Sequence, residues 1–416
     1  MPKNSFTLSR RRLIQTGAAL GGSLLLPGLM NAAWAAGSDK PEQTTIRVGF
    51  IPLTDCAPVV MAALKGFDKK YGIRIEPVKE ASWASVRDKL VSGELDAAHV
   101  LYGLIYGLEL GIAGKPQRMA NLMTLNNNGQ AISLSADLRE KGIVDGAGLK
   151  KRVAGSAPGT YTFAHTFPTG THAMWLYYWL AANDIHPFND VRTVVVPPPQ
   201  MVMNMMIGNM VGFCVGEPWN ARAINDRIGY TATTSQQIWP DHPEKILGTR
   251  RDWVEQNPNS ARALTAAVLD AARWLDASPE NRRETAKELA RRAWLNTKEQ
   301  YLAPRMLGDY EDGLGNRWQD RHGMRYFGDG EVSWPWHSDG IWFLTQFRRW
   351  GLLKHEPDYQ ALAARINRND VWREAASAVG GITPPGETLR TSRLMDGTLW
   401  DGRDPARYAA SFAIKR

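Results

Sequence analysis

Cysteine is nearly absent from this chain, which carries only Cys56 and Cys214 in 416 residues. Two such residues make no CxxC motif, and a chain of this size needs no disulfide staple, so two free, buried thiols are expected. The HExxH, GxSxG and GxxxxGK[ST] patterns are missing, and the eight histidines are scattered. Hydrolase, zinc-enzyme and nucleotidase chemistry therefore lose their usual supports, and neither a metal nor another cofactor is expected. Beyond the amino terminus no apolar run reaches the ~20 residues of a membrane-spanning helix. No long block of Lys and Arg occurs, and the formal charge of +8 is inflated by Lys3, Arg10, Arg11 and Arg12, which precede any acidic residue. Without those four, the 50 basic residues become 46 against 42 acidic ones, or +4. That mild excess favours small anions over nucleic acid as partners.

What is present begins with SRRRLI at Ser9–Ile14, a mildly apolar run TGAALGGSLLLPGLM, and Ala33-Trp34-Ala35 followed by Ala36. These are the charged, apolar and small-residue regions of an export signal, and Arg10-Arg11 match the twin-arginine type. Residues 1–35 are therefore expected to be cleaved near Ala35, leaving a periplasmic protein. With 44% hydrophobic residues and 16 Trp, the remainder can bury sizeable cores.

From Thr45 the chain alternates. IRVGFIPL, IRIEPV and DAAHVL read as strands, separated by APVVMAALKGFDKKYG and WASVRDKLVSGEL with helical spacing. This βαβαβ order predicts a parallel sheet covered by helices. The order then recurs as VAGSAPG, THAMWLYYWLAAND, VRTVVV, PQMVMNMMIGNM and VGFCVGEP. Laid together, the halves set Trp83 against Pro198, Gly93 against Gly208 and Val100 against Val215. Two similar α/β lobes joined by crossing segments make a hinged cleft, the two-lobed architecture of a periplasmic solute-binding protein of type II-like form. Residues 36–130 and about 225–416 are assigned to one lobe and about 131–224 to the other. The helical stretches beyond Arg250, with starts at Ser260 and at Ser278-Pro279, are expected to decorate the lobes. WPWHSDGIWFLTQFRRWG suits a helix packed on one lobe, and the RLMDGTLWDGRDPARYAASFAIKR tail reads as extended wrapping.

The most suggestive local stretch is FPTGTHAMWLYYWLAAND, in which Thr-Gly-Thr-His precedes a strongly aromatic helix. A helix start presents partnerless N–H groups and partial positive charge, so small residues there admit an anion. The plainer reading makes Thr171 an N-cap with Gly170 as a turn residue.

Taken in order, WASVRDKLVSGELDAAHVL, NNNGQAISLS, GTHAMWLYYWLAAND, GFCVGEPWNARAI, PEKILG, WHSDGIWFLTQFRRWG and SFAIKR together resemble the nitrate- and bicarbonate-binding proteins of ABC transporters. The resemblance implies a non-enzymatic receptor that holds an anion between its lobes and delivers it to a permease and its ATPase, touching the inner membrane only through the permease. The family's pocket positions match Trp83, Gln130, His172, Pro198, Val215, Glu217 and Lys245. A planar monovalent anion has acceptor oxygens and nothing to donate, so its pocket must supply donors and positive charge. Trp83 offers an indole N–H, Gln130 an amide, Lys245 a full charge, and the turn Gly170, Thr171 and His172 backbone N–H groups and an imidazole. Pro198, the repeat-mate of Trp83, supplies an apolar wall. Glu217 is expected to pair with Lys245 or to fix His172, or else to mark a metal site. In the bicarbonate branch the resemblance implies calcium and an acidic residue in place of the lysine, so Lys245 favours nitrate, with nitrite as a further candidate. Receptors for bicarbonate, alkanesulfonates or a thiamine precursor are the alternatives within the fold. An exported enzyme carrying a cofactor is the third reading, without a cofactor motif to support it.

Overall fold

The computed structural model describes residues 39–416. The expected export segment, with Arg10, Arg11 and a cleavage point near Ala35, lies outside the described residues. Ten strands form two five-stranded sheets. The first has the order β2 (Arg74–Lys79), β1 (Thr45–Phe50), β3 (Ala97–Leu101), β10 (Lys245–Arg250), β4 (Met119–Thr124). The second has the order β7 (Arg192–Val195), β6 (Thr162–His165), β8 (Gly212–Gly216), β5 (Gln130–Ser135), β9 (Gly229–Thr234). The sheets are mixed and not purely parallel as expected: β10 runs antiparallel to β3 and β4, and β5 antiparallel to β8 and β9. Each antiparallel strand follows a crossing between lobes, which returns the chain in the opposite direction. Since β9 belongs to the second sheet, the return crossing begins after Thr234, later than the boundary placed near 224.

The internal repeat is visible in the pairing. The offset that relates Trp83 to Pro198 also relates Val48↔Ala97 in the first sheet to Phe163↔Gly212 in the second. Gly93 and Gly208 are both left-handed, at φ +82° and +80°, a conformation that ends a helix without a Cβ penalty. By the same offset Leu101 corresponds to Gly216, and these residues pair with Lys245 and Gln130. Lys245 and Gln130 thus open equivalent strands at the same edge of their sheets, outside the carboxyl ends of the parallel strands, where open α/β sheets bind ligands.

Several local expectations are corrected. VAGSAPG is not a strand: Val153 and Ala154 end the helix Gly146–Ala154, a turn follows, and the strand is β6. A four-residue strand beside a Gly- and Ser-rich turn gives little periodic signal. The helix expected over APVVMAALKGFDKKYG breaks at Gly66, φ +72°, into Ala57–Leu64 and Phe67–Lys70. Ser278 caps the helix Pro279–Leu289 by accepting from Asn281 N–H. Ser260, in contrast, sits inside the helix Pro258–Ala277, where its hydroxyl accepts from Gln43 N–H at 2.8 Å. The helix His337–Arg349 packs on both lobes and not on one: Phe343 stacks on Tyr102 at 5.1 Å, and Trp342 lies 4.8 Å from Trp175. The tail is not wholly extended, since it holds a short hairpin and the helix Pro405–Ala410. Cys56 and Cys214 are separate buried thiols, and burial pushes both pKa values up. Among the described residues no helix is long and apolar enough to cross a membrane.

Candidate functional site

The lobes meet where β1, β3 and β8 end, β10 and β5 begin, and three helix starts converge. Gly170 is the N-cap of the helix Thr171–Ala182 and Thr171 its first residue, which corrects the reading of Thr171 as the cap. A Cβ on Gly170 would lie 2.6 Å from Leu101 Cδ1, so a larger residue would require the Leu101 side chain of β3 to shift where the lobes approach. Trp83 opens the helix Trp83–Ser92 behind the Ser82 cap. The short turn Thr54–Cys56 leads into the helix Ala57–Leu64. Thr54 N–H donates to Glu217 O at 2.8 Å and Trp219 Nε1 to Pro52 O at 3.1 Å, which closes the junction.

Inside it lies a buried polar cluster. Lys245 Nζ donates to Asp55 Oδ2 at 2.8 Å and to Glu244 Oε1 at 2.5 Å, with all three side chains fully buried. The ammonium also sits 5.6 Å from the Trp83 ring centroid, within cation–π range. The other oxygen of Asp55 is 2.6 Å from His99 Nε2, and the His99 ring packs on Trp83 at 5.7 Å. Thr171 Oγ1 donates to Glu244 Oε1 at 2.8 Å, and Trp175 Nε1 reaches Glu244 Oε2 at 3.4 Å. His172 Nδ1 is 2.6 Å from Thr166 Oγ1, while its Nε2 lies 3.9 Å from Glu244 Oε1. Gly216 completes the cluster: a Cβ there would meet Leu53 at 3.3 Å, Asp55 Oδ2 at 3.4 Å and His172 Nε2 at 3.8 Å.

The electrostatics follow from burial. Burial raises the Asp55 carboxyl, but Lys245 and His99 outweigh it and hold the group well below the carboxylate range. Burial would lower Lys245, yet Asp55 and Glu244 together keep it above the usual lysine value. His172 is driven well down by burial, reinforced by Lys245, and is neutral. Glu244 is pushed up to about 7, by burial first and by Asp55, against the pull of Lys245.

The structure brings together Trp83, Gln130, Gly170, Thr171, His172 and Lys245 at this junction. Three of them carry buried polar atoms with no protein partner: Trp83 Nε1, both amide atoms of Gln130, and His172 Nε2. Unpartnered buried polar atoms are costly, so these three residues at the lobe junction are candidates to face a ligand. Val215 lies in β8 just before Gly216, and Pro198 opens the turn Pro198–Gln200; both are buried. Glu217 departs from expectation. Its Oε1 faces Arg305 Nε at 3.5 Å and its Oε2 accepts from Ala221 N–H, so it pairs with neither Lys245 nor His172. Arg305 comes from the helix Glu299–Met306, which no local signal connects with β8. Among the described residues no group of three or more His, Cys, Asp and Glu is arranged to hold a metal.

Sequence reasoning missed Asp55, Glu244, His99 and Gly216. Extending the repeat back from Trp83 and Pro198 places Asp55 opposite Gly170, a signal that was available for Asp55. A separate cavity of about 500 Å³ lies beside the crossing segments, lined by Asn127, Asp241, Arg325, Glu331, Trp336 and Arg390.

A family model described as the NMT1-like family matches residues 39–290. The chain is 41% identical over 391 residues to a nitrate/nitrite binding protein NrtA of Synechocystis sp., covering 91% of this chain and 87% of that one. It is 31% identical to a bicarbonate-binding protein CmpA of Synechococcus elongatus, over 98% of each. The crystal structure of the periplasmic nitrate-binding protein NrtA from Synechocystis is similar at a TM-score of 0.85 and 40% identity, with 90% of this chain and 100% of that one covered.

Proposed function

The chain belongs to the NMT1-like family, and from that premise we propose that it captures nitrate, with nitrite as the smaller congener, between its lobes and delivers it to an ABC permease and its ATPase. The observation that carries this reading is the set of unpartnered buried groups at the junction, Trp83 Nε1, the Gln130 amide and His172 Nε2, gathered beside the Lys245 ammonium. Nitrate offers three acceptor oxygens and no donor, and a dry site of N–H donors and one cation matches it. The names of the Synechocystis nitrate/nitrite binding protein and of the solved nitrate-binding structure from Synechocystis support the same anion. No step of bond making is involved: the residues bind, orient and exclude water. Binding in the periplasm after export through the twin-arginine route belongs to the same proposal.

Bicarbonate is the second reading, favoured by the bicarbonate-binding relative. A calcium-dependent site needs carboxylates converging on a metal. Here the Lys245 ammonium stands between Asp55 and Glu244, in the place a divalent cation would need, which supports nitrate instead. Calorimetry with nitrate, nitrite, bicarbonate with and without calcium, and an alkanesulfonate tests the proposal. Saturable nitrate binding without calcium is expected; saturable bicarbonate binding only with calcium, and none of nitrate, contradicts it.

A further inference from the structure

The buried cluster holds more negative than positive charge for a site that takes an anion. One ammonium, Lys245, faces two carboxylates, Asp55 at 2.8 Å and Glu244 at 2.5 Å, and all are sealed from water. An anion accepting from both Lys245 Nζ and His172 Nε2 must sit against Glu244 Oε1, which lies 2.5 Å from the first and 3.9 Å from the second. An ionised carboxylate there repels the ligand, whereas protonation removes that repulsion. Resting on the nitrate reading, we infer that the anion enters this site together with one proton, taken from solvent onto Glu244, which therefore sets the pH range of binding.

Asp55 is not the acceptor of this proton, because His99 and Lys245 occupy both its oxygens. Glu244 Oε2, held by a long 3.4 Å bond from Trp175, has room for it. The groups facing Glu244 leave no other candidate. Lys245 and His242 flank it on its own segment, Thr171, His172 and Trp175 face it from one helix, Asp55 from the turn with His99 behind, and Cys214 from β8. Burial pushes His172 well down, His242 down to about 3 and the Cys214 thiol well up, and it lowers His99 against the pull of Asp55, so burial drives each of these groups toward its neutral form. Glu244 is pushed up to about 7 by burial. Free Glu244 ionises as pH rises through that value, so proton uptake per anion grows toward one above it and vanishes below it.

Nitrate titration of the wild-type protein in two buffers of different ionisation enthalpy reads this directly. At about pH 8 the heat should differ between buffers by close to one proton per nitrate, and at about pH 6 the difference should fade. The dissociation constant should rise about tenfold per pH unit above the Glu244 pKa. Glu244→Gln, a mimic of the protonated carboxyl, should bind with little dependence on pH. Buffer-independent heat at pH 8, or a Glu244→Gln protein that keeps the wild-type pH dependence, overturns the proton linkage alone. Absence of nitrate heat at every pH overturns the nitrate reading and the linkage with it. Should Glu244→Gln fail to fold, the buffer comparison on the wild type still decides.

Discussion

The two lobes share a fold and an internal register but divide the site unequally. Lys245 and Gln130 occupy equivalent positions, yet the first is a charged member of an ion cluster and the second a neutral amide. Asp55 in the first lobe corresponds to Gly170 in the second, Trp83 to Pro198, and Leu101 to Gly216. Every ionised group of the cluster thus comes from the first lobe, from the turn after β1 and from the segment that enters β10. The second lobe contributes neutral donors and two close-approach glycines. A duplicated scaffold has kept its backbone geometry while one copy specialised in charge and the other in closure. An anion needs both: positive charge to offset desolvation, and donors brought within reach only when the lobes meet.

The repeat-mates allow that division to be broken one side at a time. Lys245→Ala should have the largest effect, because it leaves Asp55 and Glu244 as buried carboxylates without their cation. A stability loss of about 3–5 kcal/mol is expected by denaturant unfolding, together with loss of nitrate binding at micromolar ligand. Gly216→Ala should be intermediate. Its backbone is not left-handed, so the fold tolerates the methyl, which presses on Leu53 Cδ2 at 3.3 Å and fills the space beside Asp55 and His172 at 3.4 and 3.8 Å. Affinity should drop about tenfold, or about 1.4 kcal/mol, with the unfolding midpoint little changed. Gln130→Ala should cost least, about 1 kcal/mol of binding measured by calorimetry, since it removes one neutral donor and leaves no charge stranded. If Gln130→Ala proves more damaging than Lys245→Ala, the charge division between lobes is wrong.

The βαβ alternation made the lobes legible, and the resemblance singled out Trp83, Gln130, His172 and Lys245, the residues proposed to face the anion. The mixed direction of the sheets was not legible, because a strand's pairing partner depends on where a crossing segment returns, and local periodicity carries no such information. Glu244 directly precedes Lys245 in PEKILG, and nothing in that local pattern marks either residue as buried. Both are fully buried at the start of β10, which only the tertiary fold reveals. Glu217 was expected to pair with Lys245 or His172 because a carboxylate beside an anion needs a cationic or donor partner, whereas its partner Arg305 arrives from a distant helix. Charge pairs between residues far apart in sequence are the part of a site that single-sequence reasoning cannot order.

The central claim is that nitrate is held at the lobe junction by this donor set, and a crystal structure determined with nitrate tests it most directly. The ion is expected within hydrogen-bonding distance of Trp83 Nε1, His172 Nε2, the Gln130 amide and Lys245 Nζ. Nitrate ordered instead in the cavity beside Arg325 and Arg390, with the junction unchanged, would contradict the account.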